Sequence, residues 1–166
     1  MDNNNLFTPH QHGFRPGRSC ITQQLETLED WYSGLDSGSN IDVIYLDFGK
    51  AFDKVSHRFL IHKLRSYNIG GKILSWITAF LANNVQSVTV NGQLSTELPV
   101  TSGVPQGSVL GPILFLIYVN DMPDMLDCTI KLFADDTKLS AKITSDDDRS
   151  KLQENINKMC AGRRHG

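Results

Sequence analysis

The 166 residues predict an α+β fold, an antiparallel sheet with helices packed on one face. Strand-like and helix-like stretches are interspersed without regular strand–helix–strand alternation. Two pairs of strand-like runs flank short turn-forming dipeptides, Asn91-Gly92 and Asp135-Asp136, as antiparallel neighbours do. The helical stretches carry apolar residues at helical spacing along one side. A length of 166 residues suits one domain with one core, and 40% hydrophobic with 20% charged residues is the composition of a chain that folds.

Asn3 to Arg18 is polar, rich in Gly and Pro, and reads as loop. Ser19 can cap a helix whose core face is Ile21, Leu25, Leu28 and Tyr32. The Gly/Ser/Asp-rich stretch 34–40 ends it. Residues 41–48 form a nearly all-apolar, β-rich run that predicts a central strand ending at Asp47. Ser56 can cap a second helix with Leu60, Leu64 and Tyr67 on one face, and Gly70-Gly71 breaks it. A third helix follows, with Ile73, Leu74, Ile77, Phe80 and Leu81 facing the core. Residues 85–90 and 94–98 flank Asn91-Gly92 as a hairpin. A Gly/Pro loop over 101–107 leads to a fourth helix, about 108–120, which Pro123 stops. The Asp135-Asp136 hairpin comes next. Ser145 then caps a last helix with Asp146 to Asp148 in its first turn and Leu152, Ile156 and Met159 inside. No internal repeat, low-complexity tract or interdomain linker interrupts this order.

Net charge is −2, so no global basic field advertises nucleic acid, and such a role needs local patches. Cys20, Cys128 and Cys160 are far apart and odd in number, which indicates neither a disulfide framework nor a zinc site. A reducing intracellular setting is the default. The polar N-terminus lacks a signal peptide's apolar core. The longest apolar run, 109–119, is shorter than the ~20 residues of a membrane span and reads as a buried element.

Adjacent residues of a strand point to opposite faces, so Asp135 and Asp136 need a turn to point the same way. Two carboxylates held together repel and invite a divalent cation. A plain Asp-rich turn fits this segment equally well. Asp47 at a strand end is either a turn cap or a third ligand. Read together, three carboxylates at one sheet edge can hold two Mg²⁺ ions about 3.5–4 Å apart, the arrangement used for in-line nucleotidyl transfer. Phe52 follows just past the strand end, where it can lie beneath a bound sugar or simply pack in the core. Gly103-Val104-Pro105-Gln106-Gly107-Ser108 lets backbone approach a ligand closely before a helix N-terminus, as many ordinary loop-to-helix junctions do. Arg15 and Arg18 flank a Pro-Gly turn and suit phosphates or a solvated turn. His57 and His62 are five apart and share no helix face.

Four segments in order resemble the reverse transcriptase domain of non-LTR retrotransposons. They are Gly13-Phe14-Arg15-Pro16-Gly17-Arg18-Ser19, Tyr45-Leu46-Asp47-Phe48-Gly49-Lys50-Ala51-Phe52-Asp53, Gly103-Val104-Pro105-Gln106-Gly107-Ser108-Val109-Leu110-Gly111-Pro112 and Phe133-Ala134-Asp135-Asp136. The resemblance runs from about residue 12 to 159. It implies an antiparallel palm sheet with partial fingers and no thumb. Residues 6–40 are then a fingers remnant, 41–160 the palm core and 161–166 a frayed tail. It implies that Asp47, Asp135 and Asp136 are the catalytic, metal-binding carboxylates. Phe48, Phe52, Pro105, Gln106 and Gly107 become nucleotide-binding, with Phe52 under the deoxyribose, and Arg15 and Arg18 lie near the template. The implied cofactor is a pair of Mg²⁺ ions, with Mn²⁺ as a substitute. The implied partners are an RNA template, a DNA primer and deoxynucleoside triphosphates, with no membrane. The setting is nucleus or cytoplasm, not secreted.

Gly49 stands where the family usually has Ser, outside the carboxylate set. The fingers strands expected before Gln11 and the thumb expected after Met159 are not in the sequence, so the chain reads as a fragment. Low activity in isolation and exposed apolar surface are expected of it. The alternative is a non-catalytic palm remnant that binds RNA or a protein partner. An RNA-dependent RNA polymerase is a third reading, which the bulk of Phe52 opposes.

Overall fold

The computed structural model describes residues 6–162. In chain order its elements are α1 (Cys20–Asp36), β1 (Asn40–Leu46), α2 (His57–Ser66), α3 (Gly71–Leu81), β2 (Val85–Gln86), β3 (Thr89–Val90), β4 (Gln93–Leu94), β5 (Leu98–Pro99), α4 (Leu110–Val119), β6 (Thr129–Phe133), β7 (Asp136–Ile143) and α5 (Asp146–Gly162). Two compact units divide the chain, Met1–Gly49 with Val119–Gly166, and Lys50–Tyr118.

The first unit is built on an antiparallel sheet of order β1-β7-β6. The sequence predicts 41–48 as the central strand, but β1 lies at the edge and β7 is central. β7 looks half-polar in sequence, yet Thr137, Lys138, Leu139 and Ser140 are all buried. An apolar run signals contact on both faces, which an edge strand also has when both faces are covered.

Both faces are covered here, which corrects the expectation of helices on one face only. Ile44 and Leu46 of β1, Ile130 and Leu132 of β6 and Leu139 of β7 pack with Leu152, Ile156 and Met159 of α5. The opposite face presents lysines. Register pairs Tyr45 with Lys138, Lys131 with Lys138, and Ile41 with Lys142. α1 lies on that side. Glu26 takes a 2.9 Å hydrogen bond from Lys131, Lys138 approaches Thr27 at 3.5 Å, and the Lys138 ammonium lies between the rings of Trp31 and Tyr45.

This lysine face explains a second correction. α1 starts where expected, with Ser19 and Thr22 forming a reciprocal cap. Its apolar side, however, does not face the core: Ile21, Leu25 and Tyr32 are more than 60% exposed, and the buried residues are Gln23, Thr27 and Gly34. A sheet face of ammonium groups selects the polar side of the helix, because unpaired buried charge costs more than exposed leucine.

The N-terminal loop is less free than its composition predicts. Leu132 donates from its backbone to His10, and His12 donates back to Leu132, so residues 10–12 run along the outer edge of β6. Gln11 and His12 are almost fully buried. At the other end, Asp148 accepts from the backbone and hydroxyls of Thr144 and Ser145, which holds its carboxyl down to about 2 and fastens the start of α5. Residues 161–162 continue α5 rather than fraying, and 163–166 of the expected tail lie outside the described residues.

In the second unit, α2 buries Leu60 and Leu64, α3 buries Ile77 and Leu81, and α4 buries Leu114 to Ile117. Ile73, expected inside, is exposed one turn before Ile77. The Asn91-Gly92 hairpin forms as two short ladders, β2 with β5 and β3 with β4. Every residue from 85 to 99 is exposed, including Val85, Val88, Val90, Leu94 and Leu98. The apolar surface expected of this chain is therefore present on this arm, on α1 and at Val109, which is 89% exposed.

Candidate active site

The acidic turn belongs to the first unit. β6 ends at Phe133, Ala134 and Asp135 form the turn, and Asp136 opens β7 opposite Phe133. β1 ends at Leu46 opposite Thr137, so Asp47 follows where β7 begins. Strand parity gives Asp136 the same face as Lys138, the cross-strand partner of Tyr45, and so the α1 side of the sheet, while Asp47 comes just past the end of β1. Asp47 and Asp136 are exposed and Asp135 is half-buried.

The three candidate carboxylates offer only oxygen donors, a chemistry that suits a hard cation completed by water and phosphate oxygens. Among the described residues, no three His, Cys, Asp or Glu side chains group closely enough to hold a metal ion by themselves.

The basic turn is tied into the same unit. Arg15 donates to the carbonyl of Thr8 at 2.8 Å and lies over the Phe7 ring. Arg18 is 3.1 Å from His12 Nε2 and 3.9 Å from Glu26. Burial pushes the His12 imidazole below its usual range, against the opposing pull of Glu26. The hydrogen bond from Lys131 holds the Glu26 carboxyl below its own usual range. Neither arginine is the solvated turn residue that composition allows.

Of the remaining candidates, Phe52, Pro105, Gln106 and Gly107 belong to the second unit. Phe52 is half-buried and stacks on the buried Phe115 with ring centroids 4.2 Å apart. Phe48, at the other side of the motif, packs against the sheet core of the first unit. The 101–111 loop is stitched to the stretch after Phe52. Gly103 donates to Val55, Val104 donates to Phe52, and His57 Nε2 lies 2.7 Å from the Gly103 carbonyl. A Cβ on Gly103, at φ +93°, would meet the Asp53 backbone at 2.8 Å. Pro105 is half-buried, Gln106 and Gly107 are exposed, and Gln106 Nε2 donates to Asp53 at 2.8 Å.

Asp53, His57, Gln11 and Gly13 have no role legible in the sequence. Asp53 and Gly13 stand inside the quoted motifs, which was their available signal. Gln11 and His12 sit in a polar stretch whose burial has no periodic signature.

In the first unit, then, an antiparallel sheet carries Asp135 in its β6–β7 turn, Asp136 at the start of β7 and Asp47 just past the end of β1. The chain belongs to the family described as reverse transcriptase (RNA-dependent DNA polymerase), matched over residues 1–162, a family of nucleotidyltransferases. It is a reverse transcriptase domain of the non-LTR retrotransposon type. It is 36% identical over 143 residues to the RNA-directed DNA polymerase from mobile element jockey of Drosophila melanogaster, covering 81% of this chain and 16% of that protein. It is 33% identical over 123 residues to the probable RNA-directed DNA polymerase from transposon X-element of the same organism, covering 74% and 13%. The chain thus spans less than a fifth of these relatives. In fold it is similar to an apo telomerase from Candida tropicalis, with a TM-score of 0.65 at 14% identity over 89% of this chain and 32% of the telomerase. Among the described residues no helix is long and apolar enough to cross a membrane.

Proposed function

We propose that this chain carries the catalytic carboxylates of an RNA-directed DNA polymerase, within a palm of residues 41–160 and a fingers portion of 6–40. The observation that supports this most directly is strand register: β1 and β7 run antiparallel with Leu46 paired to Thr137, so that Asp47, just after Leu46, and Asp136, just before Thr137, come at the same end of the strand pair, beside Asp135 in the turn. Asp47, Asp135 and Asp136 supply oxygen ligands to divalent cations. Two Mg²⁺ ions, or Mn²⁺ in their place, supply when bound the positive charge for in-line attack of a primer 3′-hydroxyl on a deoxynucleoside triphosphate. Phe52 is the wall under the sugar, steadied by Phe115. Gln106 gives an N–H to Asp53, and its amide oxygen is an acceptor for nucleotide or template. Phe48 backs the sheet end, and Pro105 and Gly107 shape the loop. Arg15 and Arg18, in the basic turn, contact template phosphates. RNA template, DNA primer and deoxynucleotides are the partners.

Primer extension on an RNA template with Mg²⁺ tests this. Product from the wild-type chain and none from Asp135→Asn/Asp136→Asn is the expected result. Equal product from both would overturn the assignment. A second reading, a non-catalytic palm remnant that binds RNA or a protein, is favoured by the lack of a three-carboxylate group among the described residues. Template retained in a filter-binding assay, without extension above the double variant, selects that reading instead.

A further inference from the structure

Ala134, the residue before the two aspartates, has φ +55°, a conformation that a side chain with a Cβ rarely adopts. Its surroundings are correspondingly over-determined. Gln11 Oε1 accepts from the Ala134 backbone N–H at 2.8 Å, and Gln11 Nε2 donates to the Ala134 carbonyl at 3.3 Å. The same Oε1 accepts from the Gly13 N–H at 2.8 Å, which fixes the side chain from behind. Gly13 closes on the turn so tightly that a Cβ there would lie 2.3 Å from the Ala134 nitrogen. The backbone exchange between Leu132, His10 and His12 anchors this segment one residue pair away. Gln11 is 2% exposed and lies 123 residues from Ala134 in sequence, so the contact is long-range and buried.

From this geometry we propose that Gln11, backed by Gly13, is the positioning residue of the acidic turn. It satisfies both backbone groups of Ala134, holds the turn in its strained conformation, and thereby sets the directions in which Asp135 and Asp136 leave the backbone. The proposal rests on reading Asp47, Asp135 and Asp136 as the cation-binding carboxylates. Gln11 touches no reacting group, so its effect passes entirely through the backbone of the turn. An amide is required at this position. A carboxylate there would face the Ala134 carbonyl, and an apolar side chain would leave a buried N–H and C=O without partners.

The test is Mn²⁺ binding to the 166-residue chain, read by paramagnetic relaxation of water protons, together with thermal melting. Gln11→Met keeps the volume and removes all three hydrogen bonds. It is expected to weaken Mn²⁺ binding by about tenfold or more, the size seen when a ligand's supporting partner is lost. Gly13→Ala should do the same by displacement. Adding Ala134→Gly to Gln11→Met relieves the φ requirement and should restore part of the affinity. Asn155→Ala, which removes the acceptor for the Asp127 N–H, is the control for lost stability and should leave Mn²⁺ affinity unchanged. Wild-type-like affinity in Gln11→Met, when Asp136→Asn abolishes binding, overturns the positioning role alone. An Asn155→Ala loss equal to that of Gln11→Met overturns it as well, because stability then explains the effect. Wild-type binding that Asp135→Asn/Asp136→Asn does not reduce overturns the carboxylate reading and the positioning role with it.

Discussion

Two hairpins of this chain turn through two residues and are otherwise opposites. Asn91 and Gly92 both have positive φ, at 49° and 76°, with the residue types that tolerate it. The β6–β7 turn also needs a positive φ, but at Ala134. The first hairpin has a cheap turn and is bare: every residue of its arm is exposed. The second has a costly turn and is gripped by a distant segment, with β7 at the centre of a sheet covered on both faces. Strain at a turn persists only where the surroundings over-determine it, and such places concentrate at working sites. The difference teaches where to look for function. A turn written in ideal residues is needed for nothing beyond turning.

The largest effect that sharpens this contrast is in packing. Leu139 in β7 is fully buried, whereas Leu94 in β4 is 66% exposed. Leu139→Ala should destabilise the chain by about 2–5 kcal/mol in urea unfolding, and Leu94→Ala by less than about 0.5 kcal/mol. Equal losses would break the comparison. Next come the turns themselves. Ala134→Gly should raise stability by roughly 0.5–1 kcal/mol, because the left-handed conformation then costs nothing. Gly92→Ala, at φ 76°, should speed amide hydrogen exchange across residues 85–99 while leaving the global melting temperature in place.

The smallest effect is on pH. The arm's only titratable side chain is the exposed Glu97. The segment behind the acidic turn contains His12, whose pKa burial lowers, and α1 sets beside it Glu26, whose carboxyl is held below its usual range chiefly by the hydrogen bond from Lys131. Below 6.5 the unfolded chain binds a proton at His12 that the folded chain refuses, so stability falls as pH drops through that value. Glu26 acts in the same direction at lower pH: its contribution is present above the ordinary carboxylate range and is lost as pH falls through its depressed folded value. Melting temperatures measured from pH 7.5 to 5 should decline, and His12→Gln should flatten the upper part of that decline.

Much of this was legible in sequence, and the exceptions have a common cause. The Asn91-Gly92 hairpin and all five helices follow from turn chemistry and periodicity, because those signals are local; the acidic turn falls one residue earlier than expected, on Ala134-Asp135 with Asp136 already in β7, and Ser56 makes no side-chain cap bond. The inverted α1, the edge position of β1 and the burial of Gln11 and His12 were not legible. Each depends on what lies across the sheet: the lysines of β6 and β7 decide which side of α1 faces inward, and the backbone edge of β6 captures residues 10–12. The aspartates could be named from their motif. What holds them could not, because Gln11 meets Ala134 only after more than a hundred intervening residues have folded.

The ammonium of Lys138, held between Trp31 and Tyr45 and two residues from Asp136, gives the molecule an optical consequence. Its two tryptophans divide between the compact units, with Trp31 half-buried over that charge and Trp76 60% exposed on α3. The Trp31 indole sits in an electric field set by the strand that carries the acidic turn. A cation arriving at the aspartates would change that field, so the fluorescence of Trp31 would report on the proposed site. Trp76→Phe would leave it as the sole emitter, readable without any dye or substrate.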